Sequence, residues 1–162
     1  MSKVYHGSIE VVKNPEIREP NRSLDYGYGF YTTTSYEQAK KLVERRMKSN
    51  GVKVGYVNVY ELDDVIIKHM KSLIFKRPTE EWVNFVMKNR TERDFTHDYD
   101  VVYGPVADDS VYTQFALYEA GIISMPTLIQ ELKTYKLVVQ YLFHTEKSLQ
   151  TIKFVESKMI KL

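Results

Sequence analysis

Three short segments carry the side chains with chemistry to offer. They are His6-Gly7-Ser8 near the start, Gly27-Tyr28-Gly29-Phe30-Tyr31 further on, and Val139-Gln140-Tyr141-Leu142-Phe143-His144 near the end. The two glycines flanking Tyr28 let backbone come close to a flat or charged group, because neither has a side chain in the way and both can adopt positive φ. Taken alone, the same glycines equally make a turn feeding a hairpin. Tyr31 presents an aromatic face, which suits a flat cationic ring. The chain holds 13 tyrosines, however, so one ring by itself defines no site. His6 has a side chain that titrates, donates and accepts near neutral pH; a lone histidine is as readily a satisfied structural residue. Gln140 keeps a carbonyl acceptor but carries no charge and takes up no proton at ordinary pH. Its other reading is a polar position on a half-exposed strand.

Periodicity and caps predict the elements that must position these residues. Residues 4–8 read as the first strand, and Phe30-Tyr31-Thr32-Thr33, aromatic and β-branched, as the second. Ser35 followed by Gln38 predicts a capping box and a helix from Tyr36, with Ala39, Leu42, Val43 and Met47 on its apolar side and Asn50-Gly51 at its end. Residues 52–60 alternate as a strand with Gly55 as a candidate bulge. Asp63-Asp64 closes that strand as a turn, and Val65-Ile66-Ile67 resumes one. Thr79 caps a helix carrying Trp82, Phe85, Val86 and Asn89, with Trp82 in the core. Residues 88–97 read as a loop, and residues 100–103 as a strand ending at Gly104-Pro105. Helices follow over residues 111–119, behind Asp109 or Ser110 as cap and stopped at Gly121, and over residues 126–135. A strand at 137–144, a helix capped by Thr145 and a strand at 154–160 complete the chain. Helices inserted among strands make the fold α+β, with two antiparallel sheets as the expected frame.

The 162 residues suit one domain spanning 1–162, and 43% hydrophobic with 27% charged residues is the balance of a soluble globular protein. A formal net charge of +2 lacks the basic bias of a general nucleic-acid binder. The absence of cysteine excludes a disulfide framework, a thiolate nucleophile and a Cys-type zinc site. Asp63-Asp64 and Asp108-Asp109 read as a turn and a helix start, so no metal is expected. No apolar leader opens the chain and no apolar run is long enough to cross a bilayer, which predicts a cytoplasmic protein without a membrane partner. Residues 14–23, with Pro15 and Pro20, form a turn-rich connector.

In their order along the chain, the three segments resemble the signature segments of ADP-ribosyltransferases of the poly(ADP-ribose) polymerase type. In that family a His-Gly pair, a Gly-x-Gly-aromatic-Tyr strand and an acidic residue on a late strand grip NAD. The run Gly104-Pro105-Val106-Ala107-Asp108-Asp109 is similar to an uncharacterised bacterial family placed among the ADP-ribosyltransferases. The resemblance implies a split β-sandwich of two antiparallel sheets with flanking helices. It also implies NAD as a substrate and mono-ADP-ribosyl transfer to a protein or nucleic-acid acceptor. By the same resemblance, His6 bonds a ribose hydroxyl of the adenosine half, Gly7 offers backbone to the nicotinamide carboxamide, and Tyr31 stacks on nicotinamide. Ser8, Gly29 and Gln38 join the NAD-binding set. A bacterial toxin or phage-conflict effector, held by an inhibitory antitoxin protein, is the implied setting.

The chain departs from the family pattern in two places. Gln38 and Leu42 stand near the places of a carboxamide-binding serine and a stacking tyrosine; Gln38 retains that bonding capacity, whereas Leu42 cannot stack. Gln140 stands where the family has its catalytic glutamate. Cleaving the nicotinamide–ribose bond develops oxocarbenium character at the ribose, which a carboxylate stabilises and an amide does not. The expectation is transfer to an already nucleophilic acceptor, or slow NAD hydrolysis, without polymer elongation. Glu146 and Glu37 are the fallback carboxylates. The alternative is a module that binds NAD or an ADP-ribosyl group without turnover.

Overall fold

In the computed structural model, which describes residues 2–17, 29–92, 97–105, 109–134 and 138–162, seven strands form one sheet. They are β1 (Ser2–Ser8), β2 (Phe30–Thr33), β3 (Val54–Leu62), β4 (Ser72–Ile74), β5 (Val101–Pro105), β6 (Val139–Phe143) and β7 (Ile152–Lys161), in the order β4-β5-β6-β2-β1-β3-β7. Five helices accompany them among the described residues: α1 (Tyr36–Asn50), α2 (Glu80–Thr91), α3 (Asp109–Glu119), α4 (Met125–Leu132) and α5 (Glu146–Leu149). All pairings are antiparallel except β4 with β5, which are joined through α2. A parallel pair needs such a long crossover.

The fold is therefore α+β, as expected, but the sheet is single and mixed, not two separate antiparallel sheets. The reason is one ladder pair. Tyr5 of β1 pairs with Thr33 of β2 and joins the four-stranded half β4-β5-β6-β2 to the three-stranded half β1-β3-β7. The join is narrow: β1 runs on to Ser8 and β2 back to Phe30, yet Tyr5–Thr33 is their one ladder pair among the described residues.

Each half has its own helical cover. Trp82, Val83 and Val86 of α2, Phe115 of α3, and Leu128 and Leu132 of α4 pack on Val102 and Leu142. On the other half, Ala39, Val43 and Met47 of α1 pack on Val57 and Ile160. The opposite face of the sheet buries Val4, Phe30, Tyr60, Leu62, Val101 and Phe143, closed by Leu149 and Ile152.

α1 comes unusually close to the sheet because Gly7 lies beneath it. A Cβ on Gly7 would stand 2.7 Å from the Ala39 carbonyl oxygen and 2.8 Å from Val43 Cγ2. Gly55 also meets Val43, so this glycine serves packing; the bulge expected there falls at Val59–Tyr60 opposite β7. Gly7→Ala is expected to lower stability by about 1–3 kcal/mol, since a main-chain carbonyl cannot rotate out of the way as a side chain can. Urea unfolding measures it, and an unchanged midpoint would show that α1 shifts without cost.

Other boundaries moved for local reasons. Residues 65–67 are not a strand: Asp63 Oδ1 accepts from the Val65 and Ile66 amides and starts a tight turn that becomes a 3₁₀ helix over Ile66–His69. α2 continues past residue 88 because Asn89 turns inward and donates from its amide to the Phe85 carbonyl. α4 stops at Leu132, where both the amide and hydroxyl of Thr134 close on the Glu131 carbonyl. α3 ends as expected, at Gly121 with φ 76°. Gly27-Tyr28, the expected connector beyond residue 17, residues 106–108, the side chains of Asp109 and Ser110, and residues 135–137 lie outside the described residues.

Candidate functional site

The segments singled out in the sequence meet at the seam between β1 and β2. His6 spans it: its Nδ1 lies 2.7 Å from the Tyr31 carbonyl oxygen, and its ring stacks on Phe30 with centroids 4.2 Å apart and planes 29° apart. A carbonyl oxygen only accepts, so Nδ1 carries the proton and, in the neutral ring, Nε2 is an acceptor. Strand alternation sends His6 and Ser8 to the face holding Phe30, and Tyr5, Gly7, Tyr31, Thr33 and Gln140 to the other. His6 thus meets Tyr31 through backbone, while Tyr31 and Gln140 share a face.

Gln140 is the most unusual of the set. It is 6% exposed, lies between Thr33 of β2 and Gly104 of β5, and its carboxamide has no hydrogen-bond partner among the described residues. The carboxamide atoms are nevertheless not fully buried, so solvent can satisfy them. The fallback acids do not replace it. Glu146 stands past the opposite end of β6, exposed in the first turn of α5, and Glu37 is exposed in the first turn of α1.

Ser8, Gly29 and Gln38 each have a local explanation. The Ser8 hydroxyl accepts from the Glu10 amide and ends β1. Gly29 presses on the end of β6; a Cβ there would lie 2.8 Å from the Phe143 carbonyl oxygen and 2.9 Å from His144 Nδ1. Ser35 accepts from the Gln38 amide, but the expected reciprocal bond is missing because the Ser35 amide donates to Thr33 Oγ1. That leaves the Gln38 carboxamide without a partner among the described residues, in the first turn of a helix that starts beside the seam. Leu42 is half-buried on the same helix. Tyr31 is half-buried, and packs against the cluster beneath α2, α3 and α4.

Two contributors escaped the sequence reading. Thr33 Oγ1 and the Thr34 amide both donate to the Val139 carbonyl, which clamps β2 to β6 beside Gln140. Asn58, 0% exposed, uses its whole amide: Oδ1 accepts from the Val12 amide at 3.0 Å and Ser157 Oγ at 2.6 Å, and Nδ2 donates to the carbonyls of Glu10 at 3.1 Å and His6 at 3.3 Å. It ties down the chain leaving β1, so it sets where His6, Gly7 and Ser8 lie. An amide between Val57 and Val59 in mid-strand was the available signal.

The shifted groups near the seam are not acid–base candidates at neutral pH. Burial, then the charges of Tyr103 and Asp64, push the Tyr141 phenol up. Burial raises Tyr60 further, and its hydroxyl donates to the Val12 carbonyl at 2.5 Å. Burial works to raise Asp100, but bonds from Thr145 Oγ1 and the Lys71 amide, with the Lys147 and Lys71 charges, hold its carboxyl below the usual range. Asp100 thereby pins the start of β5 to the cap of α5. Among the described residues no group of three or more His, Asp or Glu side chains is arranged to hold a metal.

Fold and site together define an α+β domain whose mixed sheet is joined at its middle by one ladder pair, with His6 across the join. The chain belongs to the family described as protein of unknown function (DUF3990), whose family model matches residues 2–154 and so includes every residue of the site. No curated protein and no solved structure matches the chain. No helix among the described residues is long and apolar enough to cross a membrane.

Proposed function

We infer that the protein is an NAD-dependent mono-ADP-ribosyltransferase of the poly(ADP-ribose) polymerase-like type. The observation that carries this is the seam, with His6 spanning it and, one strand away, Gln140, whose carboxamide has no hydrogen-bond partner among the described residues. The narrow join supports reading the two halves of the sheet as a split β-sandwich. In this reading His6 Nε2 accepts from a ribose hydroxyl of the adenosine half, Gly7 offers backbone to the carboxamide, and Tyr31 stacks on nicotinamide. Ser8, Gly29 and Gln38 line the same NAD site. Gln140 Oε1 accepts from the 2′-hydroxyl of the other ribose.

The bond that breaks joins ribose C1′ to the nicotinamide nitrogen, and nicotinamide leaves neutral with the electron pair. A lone pair of the acceptor forms the new bond to C1′. The acceptor's proton goes to solvent, since Gln140 cannot take it up. An acceptor already nucleophilic at neutral pH is therefore favoured over one that needs a base. A cytoplasmic bacterial effector restrained by an inhibitory protein fits this chemistry. The second reading, a module binding NAD or ADP-ribose without turnover, is favoured specifically by the missing charge at Gln140.

Nicotinamide release from NAD by the purified protein, alone and with cell lysate, tests the first reading against the second. Release is expected, stimulated by lysate, and is expected to fall at least about tenfold in His6→Ala and in Tyr31→Ala. NAD binding by calorimetry with no release would select the binding module. Absence of both would sink the two readings together.

A further inference from the structure

We propose that a cationic cleft at the end of β6 nearest Gln140 binds the phosphate backbone of a single-stranded nucleic acid. The cleft, about 300 Å³, lies among Lys76, Arg77 and Pro78 of the β4–α2 connection, Pro105 of β5, Lys133 after α4 and Val139 of β6. Among the described residues no acidic side chain lines it, and Lys76, Arg77 and Lys133 have no ion-pair partner. Three like charges around one cavity repel, and an anion between them relieves that repulsion.

Lys133 follows the C-terminal end of α4, where the helix dipole alone accounts for a cation. Lys76 and Arg77 have no such account, since they precede the N-terminus of α2, a position that favours acids. Glu80 and Glu81 answer that N-terminus and do not line the cleft. The Arg77 fork matches phosphate oxygens, and the proline and valine walls give a sugar or base an apolar surface. The volume is at the low end for ligand sites, which suits one nucleotide unit at a time. With a formal net charge of only +2, attraction for a polyanion must be local.

The position gives the cleft its meaning. On β6, Val139 pairs with Pro105 at the cleft, Gln140 follows, and Leu142 pairs with Tyr31 at the seam. At about 3.4 Å per residue, the Val139 and Leu142 levels are about 10 Å apart, with Gln140 between them. A dinucleotide in the seam and a strand in the cleft would approach Gln140 from opposite ends. Treating that strand as the acceptor rests on the transferase reading; its binding does not.

Fluorescence anisotropy with labelled single-stranded DNA and RNA oligonucleotides, in the absence of NAD, tests the cleft. Binding is expected to weaken with salt at a log–log slope of about −2, the value for three phosphate contacts on a single strand. The double variant Lys76→Glu/Arg77→Glu is expected to bind at least about tenfold more weakly with a shallower slope, and Lys133→Gln to reduce the magnitude of the slope by about 0.7. Lys41→Glu/Arg45→Glu, on the exposed side of α1, is the control and is expected to change affinity less than about twofold. Thermal melting confirms that each variant folds. No binding, equal loss in the control, displacement of the oligonucleotide by polyglutamate, or uptake of free AMP without the oligonucleotide would each overturn the proposal. Oligonucleotide binding without nicotinamide release would sink the transferase reading and leave the cleft; release without oligonucleotide binding would do the reverse.

Discussion

Gln140→Glu is expected to raise nicotinamide release on the order of a hundredfold, the scale at which one preorganised electrostatic partner acts on a developing charge. The new carboxylate would occupy the place between Thr33 and Gly104, where the native carboxamide has no partner among the described residues. There it would face the positive ribose and take the acceptor's proton. The same burial raises the pKa of the new group above that of an ordinary glutamate, because desolvation disfavours the charged form. The ratio of variant to wild-type rate should therefore be near one at low pH and rise as pH passes through that raised value, since any effect of His6 is common to both proteins.

Stability runs the opposite way. A carboxyl whose folded pKa is raised leaves the variant close to wild type below the unfolded pKa and costs stability as pH rises toward the folded one. Chromatographic assay of nicotinamide across pH, beside urea unfolding, reads both effects. A folded variant with unchanged release at every pH would show that residue 140 does not face the reacting ribose.

Asn58→Ala should lower unfolding free energy on the order of 3 kcal/mol, because it strands the Val12 amide, the Glu10 and His6 carbonyls and the Ser157 hydroxyl at once. The Tyr60 hydroxyl still holds the Val12 carbonyl, so the segment after β1 should loosen without being lost. Activity should fall with it, through KM for NAD, since His6 and Gly7 depend on where that segment leaves the sheet. Urea unfolding and KM determination check the two parts. A loss below about 1 kcal/mol would mean that water replaces the amide without strain.

What the sequence by itself determined was local. Thr79 and Thr145 cap their helices because a cap bond reaches only three residues, to the Trp82 and Ser148 amides. Gly121 ends α3 because its φ is positive, and Trp82 is buried as its apolar spacing predicts. His6, Tyr31 and Gln140 were marked by type and order, and the structure places His6 against the Tyr31 backbone and Tyr31 with Gln140 on one face. The rest depends on partners far apart in the chain. His6 meets a carbonyl 25 residues away, and Asn58 meets a serine 99 residues away. The single Tyr5–Thr33 pair decides whether there are two sheets or one. The packing constraint on Gly7 appears only once α1 is laid over it, and the cationic cleft exists only where the β4–α2 connection, the end of α4 and strands β5 and β6 meet. Caps and periods are set by neighbours along the chain. Burial, strand order and charge convergence are set by which surfaces meet, and only the tertiary structure decides that.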